Sequence, residues 1–478
     1  MGLAYAVEKA IFQEHLIEQG DTVVVAVSGG SDSVALLHIL NQMKKQHGWQ
    51  LVVAHVNHNF RKEESAQEAV YVQELAASLE LPCEVGVIDV PAYIEQTSLN
   101  SQVAAREKRY EFLHQVANKY EANRIALAHH ADDQAETVLM RLLRGTGPSG
   151  LAGILPSRLE KNVQLIRPLL RINKEALIAY CEEMHITYYE DSSNKLRKYF
   201  RNEIRLDVMP YLQQFNEHFP DALVRLADMM RAEDEHMEHE TIHAAKELVT
   251  LKDGEYSIAR SLFIQRSIAL QRRVIKLILN YLVSSDKLLD FIRIDHIRKM
   301  IVRDSPTTQR ISLDRDVHVI REYDQVIFVK KILETESFYY LIDQPKMQAD
   351  ISVISSVVAL QVLDVHEDQF KEGMPIDSSG RTDCQEAWFD LNEVHFPLIV
   401  RSRMNGDRIE PYGLNGSKKV KNMLIDAKVP PRQRERIPLI VDQGDRVLWI
   451  PGLRRSRHAL VDANKTKRIL HIKLESEE

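Results

Sequence analysis

Residues 23–37 read VVVAVSGGSDSVALL, a β-branched apolar run that stops at a short polar turn and resumes with helical spacing. This change of pattern at Ser28–Ser33 predicts a strand, a tight loop and a helix. Two adjacent glycines let the backbone turn and approach a ligand closely. The first turn of a helix offers unpaired N–H groups and the positive end of the helix dipole. The loop therefore predicts a phosphate site; an ordinary Gly/Ser turn capped by Asp32 is the alternative.

The loop differs from the nucleotide-binding P-loop, because it is shorter and no Gly-Lys-Ser/Thr follows it. Around it, apolar runs and helical patterns alternate. The predicted strands are Thr22–Val27, Leu51–Val56, Glu84–Asp89 and Arg124–Ala128, and the predicted helices are Ala4–Gln19, Ser33–Gln46, Glu64–Leu79 and Gln102–Tyr120. Alternating β and α units predict an α/β fold with a parallel, Rossmann-like sheet flanked by helices. Ligands of such sheets bind beyond the carboxyl ends of the strands.

Residues 129–137, HHADDQAET, lie at the end of a predicted strand and run into a helix. Asp133 and Glu136 are three residues apart and share one helical face, whereas Asp132 fits a helix cap. Two carboxylates beside a phosphate site are suited to Mg²⁺ or to a cationic ligand. The alternative is a helix start enriched in acids because of its dipole, which does not account for two histidines and three carboxylates together.

Two further patterns fall near the predicted nucleotide site. Residues 55–61, HVNHNFR, follow the second strand, where the adenine or ribose of a nucleotide usually lies in such folds, and we expect His55, Asn57 and His58 to bind it there. Arg106 and Arg109 share a helical face and are spaced to clamp phosphates, although a salt-bridged surface is an open alternative. Residues 142–154 are rich in glycine and predict either a lid or substrate loop, or a plain connector.

The composition excludes several classes of protein. The chain has 478 residues, a net charge of −7 and three separated cysteines without a C-x-x-C pair. This argues against a disulfide framework, a zinc ribbon and a local iron–sulfur site. No apolar run reaches eighteen residues and no secretory signal is apparent, so we expect a cytoplasmic protein without membrane contact. A homodimer is an alternative that the sequence leaves open.

The charge is unevenly distributed along the chain. Residues 401–478 hold 18 Lys and Arg against 10 Asp and Glu, which indicates a polyanionic partner. We predict a catalytic domain at 1–215, a mainly helical middle domain at 216–342, a linker at 343–385 and a small basic α+β domain at 386–478. A solvated basic face is the alternative for the tail.

The order of motifs resembles that of one family of enzymes. SGGSDS, HVNHNFR, AAREKRY, HHADDQAET, RPLLR and DSSN…RNEIR, over residues 20–206, are similar to those of tRNA(Ile)-lysidine synthetases, which are PP-loop ATP pyrophosphatases. The segments RMNGDR (403–408) and 418–436 resemble that family's tRNA-binding tail, and the resemblance implies that the middle domain at 216–342 contacts tRNA as well. The resemblance implies ATP-dependent ligation of free L-lysine to the wobble cytidine of tRNA(Ile) with a CAU anticodon. An adenylated cytidine would form first, and pyrophosphate and AMP would be released.

The resemblance and the motifs together assign roles to individual residues. We expect Asp32, Asp133 and Glu136 to be catalytic, Asp133 and Glu136 to bind lysine, and Asp32 to help hold Mg²⁺. The expected ATP-binding residues are Ser28, Gly29, Gly30, Ser31, Asp32, Ser33, His55, Asn57, His58 and Arg106. The expected tRNA-binding residues are Arg201, Arg205, Arg401, Arg403, Arg408, Lys418, Lys419, Lys421, Arg432, Arg434, Arg436, Arg454, Arg455 and Arg457.

Three other functions compete with this interpretation. A tRNA-thiolating enzyme usually needs a pair or cluster of catalytic cysteines, whereas Cys83 and Cys181 lie outside the motifs. GMP- or asparagine-synthetase chemistry would need a glutaminase domain, which does not precede residue 20. A non-enzymatic RNA-binding protein is disfavoured by the intact SGGSDS and DDQAET motifs.

Overall fold

The structure is a computed structural model that describes residues 2–57, 62–189, 197, 199–283, 289–331, 336–345, 348–364, 385–462 and 464–476. Residues 190–196, which include the whole DSSN motif (191–194), and His58 therefore lie outside the described residues. The chain forms two compact units, residues 1–239 and 240–478.

The first unit contains a mostly parallel sheet. Its strands are β1 (Thr22–Ala26), β2 (Gln50–Asn57), β3 (Cys83–Val87), β4 (Arg124–Ala126), β5 (Ser157–Glu160) and β6 (Val163–Ile166). The order is β3-β2-β1-β4-β6-β5, and only β5 and β6 pair antiparallel. Val23, Val24 and Val25 are fully buried and pack into cores on both sheet faces. The predicted parallel α/β sheet is confirmed.

Helices connect and cover these strands. They are α1 (Leu3–Gln13), α2 (Ser31–His47), α3 (Lys62–Ser78), α4 (Val90–Thr97), α5 (Ser101–Lys119), α6 (Ala131–Leu143), α7 (Pro148–Leu151), α8 (Lys174–Glu183), α9 (Phe200–Glu203), α10 (Met209–Gln213) and α11 (Phe219–Leu248). A π-helical turn, Ile204–Val208, joins α9 to α10. The first helix ends at Gln13, six residues before the predicted end.

The strand order brings two loops together. The chain leaves β1 and β4, which are neighbours, to form connections that run to opposite sides of the sheet. This is the switch point at which open α/β sheets bind ligands. Residues 28–33 follow β1 and residues 129–133 follow β4, so the two strongest sequence motifs meet there.

The second unit begins with helices and a meandering sheet. Its first elements are β7 (Val249–Lys252), β8 (Glu255–Ala259), α12 (Arg260–Phe263), α13 (Ile268–Leu282), α14 (Phe291–Val302), β9 (Thr308–Ser312), β10 (His318–Glu322) and β11 (Gln325–Val329). The sheet order is β7-β8-β11-β10-β9, and its apolar face packs with α13 and α14. The helical character is confirmed, and the five strands β7 to β11 add a sheet to the mainly helical domain that was predicted.

The C-terminal part is rich in sheet. Its elements are β12 (Tyr339–Ile342), β13 (Gln348–Ile351), β14 (Ser356–Asp364), β15 (Glu386–Asp390), β16 (Leu398–Arg401), β17 (Arg408–Ile409), β18 (Lys418–Lys419), α15 (Val420–Asp426), β19 (Leu439–Val441), β20 (Val447–Ile450), β21 (Arg454–Arg455) and β22 (Arg468–Ser476). Two larger sheets, β12-β16-β19-β20-β21 and β13-β14-β22-β15, share one core around Trp449 and Phe389.

The predicted linker at 343–385 needs correction. Strand β14 pairs with β22 along its whole length, and Ile351 and Val358 are fully buried in the C-terminal core. Residues 339–364 are thus part of the C-terminal fold, which starts well before residue 386. The Gly-, Pro- and Ser-containing stretch that suggested a linker falls in 365–384, outside the described residues.

Candidate active site

The phosphate loop, Ser28–Ser33, is held in shape by its own side chains. The Ser33 hydroxyl accepts a hydrogen bond from Ser28 N (3.1 Å) and donates one to Gly30 O (3.0 Å). Gly29 has a φ of +96°, which side-chain-bearing residues rarely adopt. The loop ends in the first turn of α2, so its backbone amides and the helix dipole favour an anion.

An acid–histidine cluster, formed by Asp32, His130, Asp132 and Asp133, lies beside this loop. His130 Nε2 is 3.6 Å from Asp32 Oδ2 and 3.4 Å from Asp133 Oδ2, and its Nδ1 is 3.3 Å from Asp132 Oδ2. Burial alone would lower the pKa of His130, but the contact with Asp132 and the charges of Asp133 and Asp32 raise it above its usual value. The sequence analysis gave His130 no role, although the His-His pair at a strand end was a signal.

Lys174 contacts this cluster through its side chain and through its backbone. Its ammonium lies 3.4 Å from Asp32 Oδ2, and its backbone N–H donates to Asp132 Oδ2 at 2.9 Å. Asp132 therefore satisfies a first-turn amide of α8, the capping role predicted for it at a different helix. The capping contact and the neighbouring His130 lower the pKa of Asp132 against the opposing effect of burial.

Asp133 and Glu136 are both bound by an arginine pair, Arg201 and Arg205. Glu136 is 2% exposed; its Oε2 accepts from Arg201 Nε (2.8 Å) and its Oε1 from Arg205 Nε (2.6 Å). Asp133 Oδ1 accepts from Arg201 Nη2 (3.0 Å) and Arg205 Nη2 (3.3 Å). Burial would raise the pKa of Asp133, but the charges of His130 and Arg201 lower it.

This arrangement differs from the expectation for the two arginines. Arg201 and Arg205 were expected to contact tRNA, yet their guanidinium groups are used by the carboxylates expected to bind lysine. The π-helical turn contributes to this geometry, because it adds a residue to the turn that carries Arg205 and follows Arg201. Such turns occur frequently at functional sites.

His55 and Asn57 lie at the end of β2, next to the phosphate loop in the sheet. Val27 O accepts a hydrogen bond from His55 Nδ1 at 2.9 Å, so Nδ1 carries the proton and Nε2 is an acceptor. His55 Nε2 is buried without a hydrogen-bond partner, and burial lowers the pKa of this histidine. Asn57 Nδ2 donates to Ser65 O at 3.2 Å.

A cavity of about 630 Å³ lies within the first unit and has Arg201 of the arginine pair in its wall. Its lining includes six arginines and three acids of α11: Arg106, Arg141, Arg158, Arg167, Arg201 and Arg231, with Asp234, Glu235 and Glu238. We call it the arginine cavity. Of these arginines, sequence reasoning gave a role only to Arg106 and Arg201; the RPLLR motif was a signal for Arg167.

His129 lines the arginine cavity and is held neutral. Burial lowers its pKa to about 3; Asp133 opposes this, while Arg167, Arg109 and Arg201 add to it. Its Nδ1 is buried without a hydrogen-bond partner, as is the Nε of Arg167. Unpaired buried polar atoms in a cationic cavity indicate a polar, anionic ligand.

Comparison with known proteins finds family matches to two separate parts of the chain. A model described as a PP-loop domain matches residues 4–212, and a model described as TilS substrate C-terminal domain matches residues 398–472. A tRNA(Ile)-lysidine synthase of Bacillus cereus is 37% identical over 459 residues, with 95% of this chain and 93% of the relative covered. The chain belongs to the tRNA(Ile)-lysidine synthase family.

More distant members give the same result. The tRNA(Ile)-lysidine synthase of Geobacillus kaustophilus is 33% identical, with 96% of this chain and 97% of the relative covered. That of Clostridioides difficile is 32% identical, with 97% of each chain covered. The resemblance based on the motifs is thereby confirmed. Among the described residues of this lysidine synthase family member, no helix is both long and apolar enough to cross a membrane.

The C-terminal cations of this lysidine synthase family member fall into two groups. Arg401 is 2% exposed and bound by Asp407, and Arg455 is 5% exposed beside the Phe389 ring, so neither can serve as the predicted RNA contact in this conformation. Others bind protein groups: Arg432 to Glu322 and Glu255, Arg434 to Tyr323, Arg403 to Glu435, Lys418 to Asp426, Arg408 to Ser417, and Arg457 to Glu410.

A smaller set is directed to solvent. Lys419, Lys421 and Arg436 are exposed, and no ion pair is recorded for them among the described residues. Exposed cations without acidic partners contribute most to phosphate binding, because no internal contact has to be broken. These three residues are therefore the strongest remaining candidates of the predicted tail contacts.

Proposed function

We propose that the chain joins free L-lysine to C2 of the wobble cytidine of tRNA(Ile) with a CAU anticodon. Its family membership makes it an ATP-using ligase that forms lysidine on tRNA. The observation that carries the residue assignments is the meeting of the phosphate loop and the acid–histidine cluster at one switch point. ATP, lysine and tRNA must be present together, which supports the predicted cytoplasmic location.

In the first step the cytidine O2 attacks the α-phosphorus of ATP and pyrophosphate leaves. The loop Ser28–Ser33 offers amides and hydroxyls to the leaving phosphates. His55 Nε2, a buried acceptor without a partner, fits the exocyclic amino group of adenine. Asn57 and Arg106 remain proposed ATP contacts beside it, and His58 is proposed from the sequence alone.

Mg²⁺ is expected to accompany the ATP. Asp32 fits a magnesium-bound phosphate, because its side chain is about one-quarter exposed at the mouth of the phosphate loop. Mg²⁺ typically takes one or two carboxylates together with substrate phosphates and waters. Among the described residues, no three His, Cys, Asp or Glu side chains are arranged to hold a metal ion by themselves. The ion would neutralise charge on the departing pyrophosphate.

In the second step the ε-amine of lysine attacks C2 and AMP leaves with the former O2. Asp133 and Glu136 are proposed to receive the lysine, although both already bind guanidinium groups. The four charges of these acids and of Arg201 and Arg205 balance. The charged groups of lysine can enter this set of ion pairs by exchange. An ammonium of lysine replaces a guanidinium beside an acid, and the lysine carboxylate pairs with the arginine that is released. The carboxylate of Asp133 or Glu136 then accepts the proton lost by the attacking amine.

The arginine cavity is proposed to admit the wobble nucleotide. Its volume of about 630 Å³ is sufficient for one nucleotide, and its arginines are suited to phosphate oxygens. Cys83 and Cys181 offer no support for the thiolation alternative, since burial raises the pKa of both and brings that of Cys181 to about 11.

The direct test is incorporation of labelled lysine into tRNA(Ile) with a CAU anticodon. We expect incorporation that requires ATP and releases AMP and pyrophosphate in equal amounts. A tRNA with the same sequence except for uridine at the wobble position is the control and should stay unlabelled. The proposal would be contradicted if labelling did not depend on ATP, or if the tRNA with the wobble cytidine stayed unlabelled.

A triple variant tests the proposed tRNA contacts of the tail. Replacing Lys419, Lys421 and Arg436 with Gln should weaken tRNA binding about tenfold at 0.1 M salt, because counterion release is lost at each phosphate. The slope of log K against log salt should become shallower by about 2 to 3. The matched control, Lys9→Gln with Lys45→Gln and Lys161→Gln, removes three exposed charges from the first unit. Equal effects of the two variants, or an unchanged slope, would remove these residues from the interface.

A further inference from the structure

The glycine-rich segment after α6 is bonded to α6 by two side chains. Gln134 is 4% exposed; its Oε1 accepts from Ile154 N at 2.6 Å and its Nε2 donates to Ile154 O at 3.1 Å. A single side-chain amide thus binds both polar groups of one residue, as a neighbouring strand would. Seven residues along the same helical face, Arg141 Nη1 donates to Gly150 O (2.9 Å) and Gly153 O (2.7 Å).

The backbone of the segment allows this close approach only with glycine. Gly153 has a φ of +65°, and a Cβ placed there would overlap the Gln134 side chain. The segment is tied on its other side as well, because Ser149 Oγ donates to Asp234 Oδ1 at 2.6 Å. These contacts do not resemble an unattached lid, which was one of the two alternatives for residues 142–154.

The same segment forms part of the arginine cavity. Residues 152–155 and Ser149 line it, whereas Gln134 does not. Asp133, which directly precedes Gln134, and Glu136, two residues after it, contact the arginine pair instead. One face of α6 therefore carries Asp133 and Glu136, and a different face of the same helix binds the cavity wall. The distance between these acids and the wall is set by α6.

We propose that Gln134 is a positioning residue for tRNA: by bonding both polar groups of Ile154, it fixes residues 149–155 as a rigid wall of the cavity that admits the wobble nucleotide. This inference rests on the proposed function, because it assigns the cavity to that nucleotide. Gln134 acts through the wall and contacts no substrate. Its loss should therefore alter tRNA recognition and leave the phosphate loop unchanged.

The test uses Gln134→Met, which keeps the length of the side chain and removes both hydrogen-bonding groups. We expect the Kd and KM for tRNA to rise about tenfold, the size expected for the loss of two neutral hydrogen bonds. KM for ATP should stay within about twofold of wild type. Hydrogen exchange at the amides of residues 150–155 should accelerate, with β1 and α2 unchanged. Gln46→Met, at the exposed far end of α2, is the matched control.

A second variant, Arg141→Lys, keeps the charge in the cavity but cannot hold two carbonyls with the same geometry. It should accelerate exchange in the same segment. Unchanged exchange in both variants, faster exchange with unchanged tRNA affinity, or a general loss of protection would each overturn the proposal. If wild-type protein transfers no lysine, the proposed function fails, while tRNA binding and hydrogen exchange still judge Gln134.

Discussion

Replacing Asp133 with Asn is expected to reduce lysine transfer about a hundredfold while tRNA-dependent release of pyrophosphate continues. The carboxylate contacts His130, Arg201 and Arg205. Its negative charge is what the ammonium of an incoming lysine would pair with. An amide keeps the shape and loses that charge. The measurement compares labelled lysine in tRNA with pyrophosphate released in the same reaction.

Asp132→Asn is the matched control for this variant. It changes the same residue type one position earlier, and this side chain caps α8 and touches His130 without contacting the arginine pair. We expect lysine transfer in the control to fall far less. If Asp133→Asn instead abolished pyrophosphate release and left lysine affinity intact, Asp133 would serve adenylation and its proposed role in lysine binding would be wrong.

Replacing Arg432 with Met is expected to lower the free energy of unfolding of the second unit by about 2 kcal/mol. The side chain of Glu322 is 3% exposed and bonds Arg432, which also bonds Glu255. Removing one partner of a fully buried pair costs about 3–5 kcal/mol, and the partial exposure of Arg432 reduces this. Chemical denaturation of the full chain measures the change.

Two further variants test whether the loss of stability comes from leaving the Glu322 carboxylate unpaired. Arg432→Met with Glu322→Gln should recover part of the loss, since no unpaired buried charge remains. Arg436→Met, four residues away and exposed, should change stability by less than about 0.5 kcal/mol. If Arg432→Met left stability unchanged but weakened tRNA binding more than the triple variant does, Arg432 would be an RNA contact as the sequence analysis expected.

Local sequence signals were sufficient to locate the centre of the site. The predicted strands ending near residues 27 and 128 are confirmed, and the rule that ligands bind at carboxyl ends brought Asp32 and Asp133 together. These inferences succeeded because they depend on hydrophobic period and on chain order, both of which a single sequence contains.

Partner choice among charged groups was beyond the sequence. Arg201 and Arg205 lie more than sixty residues from Glu136, and helical spacing alone gives no indication of which distant carboxylate they meet. The tail gave a similar error: Arg401 and Arg455 add to its basic charge but are buried in its fold. Net charge indicates a polyanionic partner without identifying which cations are exposed to it.

The boundary error had a different cause. Strand β13 has only four residues, and β22, which pairs with β14 in the sheet, lies more than a hundred residues later. Interrupted apolar runs followed by glycine, proline and serine are typical of linkers, so nothing nearby in sequence indicated a sheet. Long-range pairing decided the structure at this point.

That same pairing has a consequence during protein synthesis. Strand β14 ends at Asp364, and its partner begins at Arg468, with Asp364 opposite Arg468 and Ser356 opposite Ser476. Ribosomes add about 5–20 residues per second, so an apolar strand emerges roughly 5–20 seconds before the strand that covers its edge is made. Such a waiting edge invites pairing with other chains. The nascent C-terminal part is thus expected to depend on chaperones until β22 has been made, and β1 of the first unit waits about as long for β4, since Val23 pairs opposite Arg124.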